Sequence, residues 1–320
     1  MQLFKYDSET RDLFTDGFIR LSQLSVLNDP FEASFCPSSL DKLASNFDDE
    51  TTLGFGGEEI AYSAYAKKHL NDVGVICFSE NKENLLMWSH YANDHKGIAV
   101  GIVYLPSIGS IFENLKPVSV QSSTSFSENW SPFDGSLKPV SYRKGLRYKN
   151  DMFDYDYSNI IAEGGDRTLY EIFMQKSEEW IYEQEHRAVL KLEQADRVIF
   201  KNLYRLNEKA RKKILDSPHT STFSSADDEA CYQVELCDFE DDNDRDDIAG
   251  LLVKLSHDPS TIYLMKLAKN SINCCLFGLN SDIEPSKFMA NNKRIRAHFN
   301  VYKAVKNKEH YCIDFVELNI

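Results

Sequence analysis

Three short groups of residues carry side chains able to do chemistry. Asn28, Asp29 and Glu32 stand in Leu27-Asn28-Asp29-Pro30-Phe31-Glu32. Trp88, His90, Tyr91 and His95 stand in or just after Leu86-Met87-Trp88-Ser89-His90-Tyr91-Ala92. Glu183, Glu185 and Arg187 stand in Tyr182-Glu183-Gln184-Glu185-His186-Arg187. A carboxylate can stabilise a cation that develops during reaction. Histidines with carboxylates can ligate a metal, and His90 and His95 with Asp29, Glu32 or Glu185 would be the candidates. Their spacing of five puts the two imidazoles on different helical faces unless the helix ends between them, and no His-Glu-x-x-His is present. Nucleophilic catalysis has less support. Ser89 adjoins His90, but neighbours on a helix do not face each other. No Gly-x-Ser-x-Gly elbow occurs. Cys77 lies mid-strand, where nothing favours a low-pKa thiolate.

The elements that must position these groups can be read from periodicity. Leu3–Tyr6 and Phe18–Ser22 read as strands. Asn28-Asp29-Pro30 is a turn signal, since Asn and Asp bond nearby backbone and Pro fixes its own φ; Phe31 is expected to pin that turn to the core. Glu58–Leu70 reads as a helix. Val75–Ser79 is a continuous apolar run suited to a central strand. Asn84–Ala92 reads as a short helix with Leu85, Trp88 and Ala92 on one side and His90 and Tyr91 away from it. Gly97 stops it, and Ile98–Tyr104 resumes as strand. Residues 107–136 read as a loop insertion, and Pro139–Tyr142 as strand. Arg167–Trp180 is expected to be an amphipathic helix through Leu169, Ile172, Phe173 and Trp180, followed by a strand over Ala188–Leu192. Asn207–Leu215 reads as a polar helix with its basic residues late. Pro218–Asp247 reads as a low-order acidic insertion. At the end come a strand over Ile272–Phe277, a helix over Ser286–Phe299 opened by Pro285, and a hairpin of Val301–Val305 with His310–Glu317. The pattern predicts an α+β fold, a mixed or antiparallel central sheet with packed helices, in one domain spanning 1–320.

Composition narrows the class. With 42% hydrophobic residues, a sizeable core can be buried. The longest strongly apolar run, near Ile98–Leu105, is too short to span a bilayer, and no apolar stretch follows a basic start as in a signal peptide. The expected location is the cytoplasm. The seven cysteines are odd in number and include no Cys-x-x-Cys, which fits reduced thiols rather than a disulfide framework. Net charge is −14, yet Asp227–Asp247 alone holds 11 acids and one arginine. The rest is near neutral, and the acidity speaks against sequence-independent nucleic-acid binding. The acidic run fits a solvated insertion.

Taken in order, Phe4-Lys5-Tyr6, Asn28-Asp29-Pro30-Phe31-Glu32, Cys77-Phe78-Ser79, the Trp88-Ser89-His90-Tyr91 helix, His95-Lys96-Gly97 and Glu179–Arg187 resemble the mostly bacterial family called domain of unknown function 2971. The resemblance spans roughly the first two hundred residues and the ending, and it implies a fold and candidate residues rather than an activity. A second resemblance bears on mechanism. Glu183-Gln184-Glu185 before a strand looks like the Glu-x-Glu motif of the ADP-ribosyltransferase superfamily. That likeness implies NAD as substrate, Glu185 as the acid that holds the nicotinamide ribose, and Glu183 and Arg187 as its orienting groups. Ser79 would be the strand-end hydroxyl. Lys5 or Tyr6 stands where those enzymes keep Arg or His, although Lys lacks the bidentate fork of Arg. Asn28, Asp29, Glu32, Trp88, His90, Tyr91 and His95 would shape the pocket. Two other readings stay open. One is a metal-assisted hydrolase or nuclease. The other is a non-catalytic ligand-sensing or interaction module, as in phage defence or a toxin–antitoxin system, with the same residues buttressing the fold.

Overall fold

The computed structural model describes residues 1–8, 12–14, 16–44, 52–55, 58–105, 110–116, 131–147, 164–224, 228–284, 286–288 and 299–318. The chain runs through β1 (Gln2–Asp7), β2 (Phe18–Gln23), α1 (Pro37–Ala44), the hairpin β3 (Thr52–Phe55) and β4 (Glu58–Ala61), α2 (Tyr62–His69) and β5 (Val73–Ser79). Next come α3 (Leu85–Tyr91), β6 (Ile98–Val103), β7 (Lys138–Pro139), β8 (Ser141–Arg143), α4 (Gly164–Phe173), β9 (Gln175–Ser177) and β10 (Glu185–Lys191). The last part adds β11 (Arg197–Phe200), α5 (Glu208–Leu215), β12 (Thr220–Ser224), β13 (Ala230–Glu235), α6 (Asp242–Val253), β14 (Ile262–Lys266), β15 (Ile272–Phe277), β16 (Asn300–Lys306) and β17 (Ile313–Glu317).

Thirteen strands join one sheet in the order β12-β13-β11-β14-β2-β5-β1-β6-β15-β16-β17, with β10 on β5 and β7 on β10. Only β15 and β16 pair in parallel within it, so the fold is α+β with a mixed, mainly antiparallel sheet. The centre is β5. Its Val-Gly-Val-Ile-Cys-Phe-Ser sequence is apolar almost throughout because helices and loops cover both faces. One edge pairs with β10 along its whole length, from Val73↔Lys191 to Ser79↔Glu185. The other edge is shared: β2 holds Gly74 and Val75, and β1 holds Ser79. Between them, on this edge, the register gives Ile76, Cys77 and Phe78 no partner residue among the described strands. The sheet therefore splits at β5, and the site described below lies in that split.

The helix beside the split forms for local reasons. Asn84 caps α3 by accepting hydrogen bonds from the Leu86 and Met87 amides. The helix ends in a turn where Asn93, Asp94 and His95 all have positive φ, a conformation these residue types tolerate better than most. Gly97 then lies so close to the chain that a Cβ would stand 2.1 Å from the Asp7 carbonyl oxygen. Trp88 and Ala92 are fully buried with Tyr6, Ala99 and Leu276.

Several expectations are corrected. Glu58–Ala61 pairs with Thr52–Phe55 as strand, so the helix starts only at Tyr62. Leu85 is 41% exposed and does not share the Trp88 face. Phe31 is 61% exposed and pins nothing. The helix expected over Arg167–Trp180 stops at Phe173, because Gln175–Ser177 pairs in parallel with Ser141–Arg143 and a 3₁₀ segment, Glu178–Glu183, follows. The segment read as low-order, Pro218–Asp247, carries the β12–β13 hairpin and the start of α6 among its described residues. Cys231, Val234 and Leu236 are buried between its acids. Asp241 caps α6, whose acidic first turn suits the helix dipole. The helix expected over Ser286–Phe299 lies mostly outside the described residues, as does much of 107–136. No helix among the described residues is long and apolar enough to cross a membrane. The seven cysteines are free.

Candidate functional site

A cavity of about 410 Å³ opens in the split, within the size range of small-ligand pockets. It is lined by Lys5 and Tyr6 of β1, Ser22 of β2, the turn residues Asn28 and Glu32, Cys77 and Ser79 of β5, Met87, His90 and Tyr91 of α3, and Lys176, Glu183, Glu185 and Arg187. The groups expected to act together therefore do converge. Asp29, Trp88 and His95 do not line the cavity. Asp29 is buried and accepts the Phe31 amide across its own turn. Trp88 is core, its indole donating to the Lys82 carbonyl, and His95 stacks against it.

The charged groups form a continuous chain. Arg187 Nη1 and Nη2 bind the two oxygens of Glu32 at 2.5 and 2.9 Å. Arg187 Nε and Nη2 bind the two oxygens of Glu185 at 2.7 and 3.2 Å. Nη1 also donates to the Phe173 carbonyl at 2.6 Å. A guanidinium has five N–H donors, and these contacts use them all. Lys176 continues the chain, 2.6 Å from Glu183 Oε2 and 3.2 Å from Glu185 Oε2. Its ammonium also sits over the Trp180 ring at 4.9 Å. Tyr91 donates to Glu183 Oε1 at 2.6 Å and accepts from Asn28 at 3.1 Å. Ser79 donates to the Glu183 carbonyl at 2.6 Å, which fixes that backbone. Lys5 donates at 3.1 Å to the carbonyl of Cys77, a residue without a partner among the described strands on the split edge of β5.

The electrostatics follow from these pairs. Burial works to protonate Glu185, but Arg187 and then Lys176 outweigh it and hold its pKa down to about 2. Glu183 has no guanidinium beside it, and burial leaves its pKa raised above the usual carboxylate value despite Lys176. Burial opposes the charge on Lys176, yet Glu185 and Glu183 overcome it and raise its pKa. Burial, then Glu185, pushes the Cys77 thiol up to about 12, so it is a protonated lining group rather than a nucleophile.

Two residues change role. Arg187, expected to orient Glu185 and to touch ligand, does hold both oxygens of Glu185, but its remaining donors go to Glu32 and the Phe173 carbonyl, so none is left for a ligand. Lys176 was missed: reading Gln175-Lys176-Ser177 as helix hid a lone cation close ahead of two glutamates, which was the available signal. Metal ligation finds no support in the arrangement. His90 is at the exposed rim while His95 faces Trp88, and the described residues contain no cluster of three His, Cys, Asp or Glu placed to hold an ion.

Residues 87–188 match the family described as Protein of unknown function (DUF2971). The match covers less than half of the chain. The matched region runs from α3 to β10 and so supplies Tyr91, Lys176, Glu183, Glu185 and Arg187, while Lys5, Asn28, Glu32 and Ser79 come from chain before it. No curated protein and no solved structure matches the chain.

Proposed function

We propose that the cavity takes the nicotinamide-ribose part of NAD and that the protein is an ADP-ribosyltransferase-like enzyme. The observation that carries this reading is the convergence of Lys5, Ser79 and Glu185 on the one opening where the sheet splits. In this chemistry the ribose–nicotinamide bond breaks, its electron pair leaves with nicotinamide, positive charge develops on the ribosyl carbon, and an acceptor nucleophile or water bonds to that carbon and gives up its proton to solvent. Glu185 is ionised at any physiological pH and is the fixed anion beside that carbon. Glu183 keeps lone pairs for a ribose hydroxyl. Lys5 bonds one carbonyl and retains donors for phosphate oxygen. Tyr91 and His90 give the nicotinamide ring an aromatic surface.

The saturation of Arg187 favours a second reading, a ligand-sensing module without turnover, because the charges of Glu32, Arg187 and Glu185 are mutually satisfied without any ligand. One experiment separates the two: NAD binding and consumption by wild type beside Glu185→Gln. Consumption that is lost in the variant while the melting curve is kept supports the enzyme. Binding of NAD without consumption supports the module. No binding by wild type removes NAD from both.

A further inference from the structure

Glu183 and Glu185 are separated by one residue, and Gln184 between them is left-handed, with φ 45°. Their side chains meet at a single ammonium. Since Lys176 touches Oε2 of each, those two oxygens are no further apart than the sum of 2.6 and 3.2 Å. Both carboxylates are only 4% exposed, and Lys176 itself is 5% exposed. Two buried carboxylates this close, left to themselves, share a proton rather than ionise together.

We infer that Lys176 is a positioning residue whose ammonium holds the Glu183 and Glu185 carboxylates side by side as two anions facing the cavity. The other groups present cannot replace it. Arg187 is fully used by Glu32, Glu185 and the Phe173 carbonyl, and it makes no contact with Glu183. Tyr91, Tyr142 and Tyr182 face Glu183 or Glu185 as neutral phenols, and Cys77 is a neutral thiol. Without Lys176, Glu183 therefore loses the one cation that pairs with it among the described residues. The Trp180 ring beneath the ammonium fixes where the charge sits. Two adjacent anions suit a ligand that presents a pair of hydroxyls, as a ribose diol does; that ligand assignment rests on the NAD reading, whereas the charge role of Lys176 does not.

The test is a ¹³C NMR titration of the glutamate side-chain carboxyls in folded wild type, Lys176→Met and Lys176→Arg, with NAD consumption followed on the same samples. The expected result is that Lys176→Met moves the Glu183 midpoint up by about 1–3 pH units and that Lys176→Arg restores most of the shift. A Glu183 midpoint in Lys176→Met equal to that of wild type overturns the inference. If Lys176→Met does not fold, a Glu183 midpoint in Lys176→Arg matching wild type supports the role, and one that has risen as far as an unpaired buried carboxylate would overturns it. NAD inertness of the wild type with the titration shift present defeats the NAD reading and leaves this inference standing.

Discussion

Arg187 and Glu32 lie 155 residues apart in the chain and form a two-pronged ion pair with only 1% and 3% of their side chains exposed. This pair ties the turn before α1 to the strand that carries Glu185. Both residues line the cavity, and each partner depends on the pair, because an isolated buried charge is costly.

Removing the cation should therefore be severe. Arg187→Met leaves Glu32 and Glu185 buried together with one less positive charge and is expected to destabilise by about 3–5 kcal/mol. Arg187→Lys keeps the charge but not the fork and is expected to lose part of that. Urea denaturation measures both; equal stability of Arg187→Met and wild type would mean that the pair contributes nothing.

The acid limb of the stability curve should report Glu185. Its pKa is about 2 in the folded protein against an ordinary value of 4.5. A depressed carboxylate stabilises the fold above its unfolded pKa and loses that contribution as pH falls through the folded value. Stability should drop between about pH 4.5 and pH 2 in wild type, with a shallower drop in Glu185→Gln. Glu183 acts in the opposite sense, since its raised pKa makes its protonation favour the folded state. Denaturation midpoints across pH 2–7 check the difference, and identical slopes in the two proteins would count against it.

Two glycines should respond oppositely to alanine. At Gly278 a Cβ would stand 2.2 Å from the His95 carbonyl oxygen, a backbone atom held by the turn after α3. Gly278→Ala is expected to cost about 1–3 kcal/mol. Gly250 lies inside α6 with open space around it, so Gly250→Ala should stabilise by roughly 0.5–1 kcal/mol. Thermal unfolding of both variants gives the signs directly.

Trp88 supplies a check on the division between core and pocket. It is fully buried, and its indole N–H donates to the Lys82 carbonyl. Trp88→Ala should lose about 3–5 kcal/mol. Trp88→Phe should fold and keep whatever ligand affinity wild type has, measured by calorimetry; a selective loss of ligand binding would place Trp88 in the site after all.

Much of the frame was legible because local pattern and tertiary environment agree there. β5 and β6 carry nearly continuous apolar runs, β1 buries Leu3, Phe4 and Tyr6, β15 is apolar at most positions, and Asn84 and Gly97 punctuate α3 as such residues should. Legibility failed where a partner elsewhere decides the conformation. Gln175–Ser177 has helix-compatible residues but pairs with Ser141–Arg143, which carries Lys176 to the glutamates. The acidic run around Asp241 looked solvated because its buried Cys231, Val234 and Leu236 are diluted among carboxylates. In the site, the cluster at Asn28–Glu32, Tyr91 and Glu183–Arg187 was visible as residue types. The sequence could not tell that Arg187 spends every donor internally, since that needs the Phe173 carbonyl and Glu32 in the same place.

The forked edge of β5 also has a mechanical meaning. The ladder from β12 to β2 and the ladder from β1 to β17 meet through β5, one gripping its beginning and the other its end. β5 is thus the axle of two blades, and the cavity is the notch between them. Lys5 reaches from the second blade to the carbonyl of Cys77 on the axle and so ties the two together beside the notch.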